Sequence, residues 1–187
     1  MKPFHLKVRN INSLYIETKR SPFIRMKIYH LYRRQHLNLT IHEAWKFFSS
    51  PYNLNDITPD FFHVKITSEV PEKIYAGLMI SYRMKAVFGI PMDWLSEISH
   101  CDEPKRFVYE QRIGPFKFWS HEVCLTEEQN RVVLEDIMFY AMPMGWLGQF
   151  INSVLIASKL EHIFDNRRNY LHSTWGDLFE GRARIEQ

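Results

Sequence analysis

Three short segments of this 187-residue chain place polar side chains where apolar ones are expected. With the two-residue period of a β-strand, Trp119, His121, Val123 and Leu125 share one face, and Leu134, Asp136, Met138 and Tyr140 share another. Tyr109 and Gln111 do the same on a third segment. If these faces point inward, His121, Asp136 and Gln111 are buried polar groups, and each needs a hydrogen-bond partner. One reading is a self-satisfied internal network in which Asp136 accepts from His121 or from Tyr140. The other is a cavity lining that orients the polar end of a ligand. A carboxylate beside an imidazole raises its basicity, so His121 and Asp136 are also the pair an acid–base mechanism would use.

Other chemistries lack their residues. The chain has no GxGxxG, P-loop, GxSxG or HExxH motif. Its nine His show no metal-ligand spacing, so neither a metal nor a cofactor is expected. The two cysteines, Cys101 and Cys124, form neither a disulfide framework nor a CxxC pair, which fits a reducing, cytoplasmic setting. With 45% apolar and 24% charged residues, the composition is that of a soluble globular domain.

The net charge of +3 is unevenly spread. Residues 1–25 hold six basic residues and one acid, so the remainder carries −2. In that remainder Lys and Arg are scattered among acids, and no nucleic-acid partner is expected. No run of about 18 apolar residues is present, so no stable membrane insertion is expected. Residues 1–25 read as a basic leader, disordered or upstream of a true start at Met26, and 173–187 read as a frayed tail.

The elements that must position the polar groups follow from periodicity. A strand is expected from Lys27 to Leu39, then a capping box at Thr40–Glu43 and a helix over 41–50 ended by Pro51. Beyond Pro59 the period becomes 2. Phe62, Val64 and Ile66 read as one strand, and Leu78, Ile80, Tyr82 and Met84 as the next. Met92, Trp94, Ser96 and Ile98 follow, then the three segments above. A long helix is expected over 145–172, with Trp146, Phe150, Val154, Ala157, Leu160, Phe164 and Leu171 as its apolar stripe. Arg167 and Arg168 read as its solvated last turn, and Arg83 and Glu110 as an outward pair on neighbouring strands. An apolar sheet face needs a cover, and only this helix is long enough. Tyr82, Trp94, Trp119 and Tyr140 would then wall a cavity between sheet and helix, with Ile80, Ser96, Tyr109, Gln111, Phe150 and Val154 completing it.

The run Trp45-Lys46-Phe47-Phe48-Ser49-Ser50-Pro51-Tyr52-Asn53-Leu54 with Ile57-Thr58-Pro59 resembles the START-like (SRPBCC, helix-grip) superfamily. Within it the chain is most similar to polyketide-cyclase-like and coenzyme-Q-binding-like bacterial members. Asp102–Phe107, Glu110-Gln111, Gly114-Pro115-Phe116, Trp119-x-His121, Asp136 and Tyr140–Gly145 extend the likeness over 26–172. Ser50 departs from the Asp common before that Pro, a turn position. The resemblance implies an α+β helix-grip fold, with six or seven antiparallel strands curved around a C-terminal helix. It implies binding of a hydrophobic small molecule such as a lipid, isoprenoid or polyketide-like compound. It also leaves open a cyclase- or dehydratase-type enzyme using His121 and Asp136, and a surface-acting protein like ribosome-associated relatives.

Overall fold

A computed structural model describes residues 7–8, 14–15, 27–54, 56–85, 89–129, 131–151 and 155–176. The chain opens with two two-residue strands, β1 (Lys7–Val8) and β2 (Leu14–Tyr15), followed by the long β3 (Lys27–Leu37). Helix α1 (Ile41–Phe48) and single 3₁₀ turns at Pro51–Leu54 and Asp60–Phe62 come next. A meander follows: β4 (Lys65–Ile66), β5 (Met79–Lys85), β6 (Pro91–Asp102), β7 (Arg106–Ile113), β8 (Phe118–Glu128) and β9 (Arg131–Ala141). Helices α2 (Gly145–Ile151) and α3 (Ala157–Trp175) close the chain.

The sheet order is β1-β2-β3-β9-β8-β7-β6-β5-β4, antiparallel throughout. Its last strand therefore returns to lie against β3, its first long strand. Six strands are long, and the three two-residue strands sit at the edges. Two register shifts in β6, at Leu95/Ser96 and Ile98/His100, add local twist and bend the sheet. The core lies between its concave face and α1 and α3, and includes Leu31, Trp45, Ile80, Val123, Met138 and Leu171. This is the α+β helix-grip architecture.

Local chemistry explains the elements. Thr40 caps α1: its hydroxyl accepts from Glu43 N at 3.3 Å, and Glu43 Oε2 accepts from Thr40 N at 2.8 Å. Ala44, Trp45 and Phe48 form the buried face of α1. Gly148 in α2 has no alternative, because a Cβ there would stand 1.9 Å from the Pro143 carbonyl oxygen.

The structure differs from the sequence reading in three elements. Phe62, Val64 and Ile66 do not share a strand; Phe62 ends a 3₁₀ turn and His63 adopts the left-handed φ of 44°, which breaks the alternation before β4. The C-terminal segment is described as two helices, α2 and α3, with a π-type hydrogen-bond pattern at 155–156 just before α3 and with 152–154 outside the described residues. The last helix also runs to Trp175, whose ring packs edge-on against Phe47 at 4.7 Å. The basic segment 1–25 contributes β1 and β2, which pair with each other and, through Leu14↔Ile28 and Tyr15↔Lys27, with β3.

Candidate functional site

A cavity of about 210 Å³ lies between the concave face of the sheet and α3. An engineered apolar cavity of about 150 Å³ takes up benzene, so this space is sufficient for a small organic molecule. β5 contributes Ile80 and Tyr82 to its wall, β6 Trp94 and Ser96, β7 Tyr109, and β8 Trp119 and His121. The expected alternation thus brings seven of the anticipated site residues together.

The other five are placed elsewhere. Asp136 is buried behind the wall, where it holds His121. Gln111 turns away to bracket the β7–β8 loop: its Nε2 donates to Phe116 O at 2.7 Å, and its Oε1 accepts from Phe116 N at 3.3 Å. Tyr140 stands behind the wall, packed on Phe116 at 5.6 Å and Trp119 at 6.2 Å. Phe150, in α2, is 63% exposed and does not line the cavity. Val154 lies outside the described residues.

Several lining residues escaped the sequence reading. Phe116, at the end of the β7–β8 loop, forms an aromatic corner with Trp94 and Trp119, at ring separations of 5.9 and 4.8 Å. Trp94 and Trp119 meet edge-on at 5.3 Å. Arg167 matters most. Instead of sitting in a solvated turn, it is 7% exposed, lines the cavity and lies over the Phe48 ring at 5.2 Å. The buried face of α3 reads Leu160, Phe164, Arg167, Leu171, at steps of four, three and four. That spacing within the apolar stripe was the available signal for Arg167. On the outer face, Arg83 and Glu110 do not pair with each other. Arg83 faces Asp93 at 3.9 Å, and Arg112 bridges Glu110 and Glu97 at 2.8 and 2.6 Å.

The polar groups of the wall form a chain. Tyr109 Oη and His121 Nδ1 hydrogen-bond, His121 Nε2 lies 2.9 Å from Asp136 Oδ1, and Arg167 Nη2 lies 3.2 Å from the same oxygen. Tyr109 and His121 are direct cross-strand partners, whereas Asp136 opposes Val123, so the His121–Asp136 contact is diagonal.

Charge states follow from environment. Burial works to raise the Asp136 pKa, but the Arg167 guanidinium and the His121 ring outweigh it and hold the carboxyl below its usual range. Burial lowers the His121 pKa despite Asp136, so the ring is neutral near pH 7. Burial pushes the Tyr109 and Tyr82 phenols upward, so both stay protonated. An ionised carboxylate only accepts. His121 Nε2 must therefore donate to Asp136, which leaves Nδ1 to accept from Tyr109. Both ring nitrogens are thus committed within the protein.

No protein-family model matches this chain, and no curated protein matches it. Solved structures do. Major latex-like protein 151 from Panax ginseng aligns at 14% identity with a TM-score of 0.57, over 78% of this chain and 96% of that one. A norcoclaurine synthase point mutant from Thalictrum, in complex with a transition-state analogue, aligns at 10% identity and TM-score 0.57 over 80% and 98%. A Rhodobacter sphaeroides protein aligns at 17% identity and TM-score 0.57 over 76% and 89%. At such identities the likeness shows the fold, and it agrees with the sheet order and the gripping helix described above.

Proposed function

Starting from a helix-grip fold with a walled cavity, we propose that this protein binds a hydrophobic small molecule, such as a lipid, isoprenoid or polyketide-like compound, between its sheet and α3. The observation that carries this reading is the cavity itself: about 210 Å³, lined chiefly by aromatic and aliphatic side chains. Its polar groups are largely spent on one another. A domain that needed only stability would fill this space, since an unfilled cavity costs stability roughly in proportion to its volume.

The enzyme reading is weaker on one specific point. His121 and Asp136 do lie within hydrogen-bond reach, but Tyr109 covers the only ring nitrogen that Asp136 leaves. A substrate would meet the Tyr109 phenol first, a poor base while burial keeps it protonated.

The test is native mass spectrometry of gently purified protein, with a thermal-shift screen across lipids and aromatic compounds. Co-purified apolar mass, or a stabilising compound whose effect is lost in Ser96→Trp, supports binding. A second filling variant, Ile98→Phe, guards against a folding failure of the first. Empty spectra with no thermal shift across the panel overturn it.

A further inference from the structure

Large apolar side chains scattered singly over a surface need no explanation, but a concentration of them does. Among the described residues, the four most exposed large apolar side chains are Met144, Phe150, Ile113 and Ile90, at 59% to 63% exposure. The strand register puts all four at one end of the sheet. Ala141, the last residue of β9, pairs with Ile28 near the start of β3 and with Phe118 at the start of β8. Ile113, the last residue of β7, pairs with Leu95 in the first half of β6, so the β7–β8 and β5–β6 loops both turn at this end. Ile90 lies in the β5–β6 loop, next to Pro91. Met144 and α2 follow Ala141 closely, and α2 folds back on the end of β9, with Gly148 pressed against the Pro143 carbonyl. Leu147 and Phe150, three residues apart on α2, are neighbours on its exposed surface.

The charges of this end have one sign. Residues 137–158 contain no charged residue, although 24% of the chain is charged. The stretch 85–91 contains Lys85 and no acid, and 113–118 contains Lys117 and no acid; both lysines are exposed. Asp93, close by on β6, is faced by Arg83 at 3.9 Å. β3 begins at Lys27, and β2 joins it there, so the segment with five net positive units meets the sheet at this same end. The turns of the opposite end, 102–106 and 127–131, hold both signs, with four acids and three bases between them. An apolar end rimmed by lysine fits a surface that is negative outside and apolar within, which is an anionic bilayer. A second copy of the chain would instead set lysine against lysine.

We infer that this end of the molecule rests on an anionic lipid bilayer. Met144, Leu147, Phe150 and the two loop isoleucines enter the headgroup layer, and Lys85 and Lys117 meet its phosphates. The contact is peripheral, since no described helix is long and apolar enough to cross a membrane. Leu155 is exposed and its neighbour Ile156 lines the cavity, so the docking surface borders the cavity. The inference does not depend on the cavity reading, and either can fail alone.

The test is co-sedimentation of the full chain with vesicles of phosphatidylcholine, alone or mixed two to one with phosphatidylglycerol. Binding to the mixed vesicles is expected to be at least about fivefold stronger than to the neutral ones, and to weaken as salt rises. Met144→Ser with Leu147→Ser, and separately Ile90→Ser with Ile113→Ser, should each weaken it about tenfold. Lys85→Gln with Lys117→Gln should weaken binding to the mixed vesicles and leave binding to the neutral ones unchanged. Tyr75→Ser, at an exposed site before the other end of β5, should change neither. Two separate apolar pairs keep the test decisive if one variant fails to fold. No binding to the mixed vesicles, or binding that neither apolar pair weakens, overturns the inference. So does a concentration-dependent dimer in sedimentation velocity that the Met144 and Leu147 variant abolishes, because a second copy would then be what covers this end.

Discussion

At the scale of residues, the molecule is organised around one buried charge pair. Asp136 and Arg167 are 3% and 7% exposed, and the Arg167 guanidinium, with His121, holds the buried Asp136 carboxyl in its ionised form. Removing one partner leaves an uncompensated charge, and Asp136→Asn is expected to cost about 3–5 kcal/mol in urea denaturation. Arg167→Met should cost a similar amount, and the double variant clearly less than the sum; strict additivity would mean that the pair is not coupled. Acid should act on the same cluster in two steps. His121 has a folded pKa below its unfolded value of about 6.5, so between the two the unfolded chain binds the extra proton, and stability falls as pH drops below about 6.5. Asp136 also has a depressed folded pKa, so its contribution is present above the unfolded value of about 3.9 and is lost as pH falls toward the folded one. Denaturation midpoints from pH 8 to pH 4 should therefore fall in the native chain and fall less in His121→Gln; parallel slopes for the two would contradict the assignment. The sequence disclosed this cluster except for Arg167. Period-2 alternation put His121 and Asp136 on inward faces. Arg167 was hidden because a doublet of arginines near a helix end resembles a solvated terminus, and only its place between Phe164 and Leu171 shows otherwise.

At the scale of elements, legibility tracked how local the determining physics is. The capping box at Thr40 needs four residues and was legible down to the N-cap; both reciprocal bonds are present. Loss of the Thr40 hydroxyl is expected to destabilise the fold by about 1 kcal/mol, with Thr40→Ser retaining most of the capping; equal stability of Thr40→Ala and the native chain in denaturant titration would show that packing alone sets the start of α1. The five long strands of the meander were legible because alternation over seven or more residues leaves one register that buries the apolar face. One failure occurred where a single residue alters the phase. His63 turns into the left-handed region and ends the run from Phe62, and Phe150 in α2 is exposed although Leu160 and Phe164 in α3 are buried. No periodicity argument anticipates a phase shift, because the apolar residues on its two sides each remain correctly spaced.

At the scale of the whole molecule, the positive charge is concentrated at the start of the chain. The helix-grip architecture was legible from the order of elements, since one apolar sheet face and one long helix have a single way to cover each other. The shape of the cavity was not, because it depends on how far α3 stands from the sheet and on loop residues such as Phe116. Residues 1–25 carry five net positive units, and among the described residues every buried member of the core cluster falls between Leu31 and Leu171. Among the described residues of that segment, β2 meets β3 through Leu14↔Ile28 and Tyr15↔Lys27. A chain starting at Met26 gives up those two pairings and lengthens an existing sheet edge by two residues. It should unfold cooperatively, with a loss of stability no larger than the roughly 1 kcal/mol typical of a single point substitution. Its affinity for any cavity ligand should be unchanged, because all described lining residues fall within 47–167. Paired thermal melts and titrations of the two chains are the measurement. A loss of several kcal/mol, or of ligand affinity, in the shorter chain would mean that the basic segment is part of the folding unit.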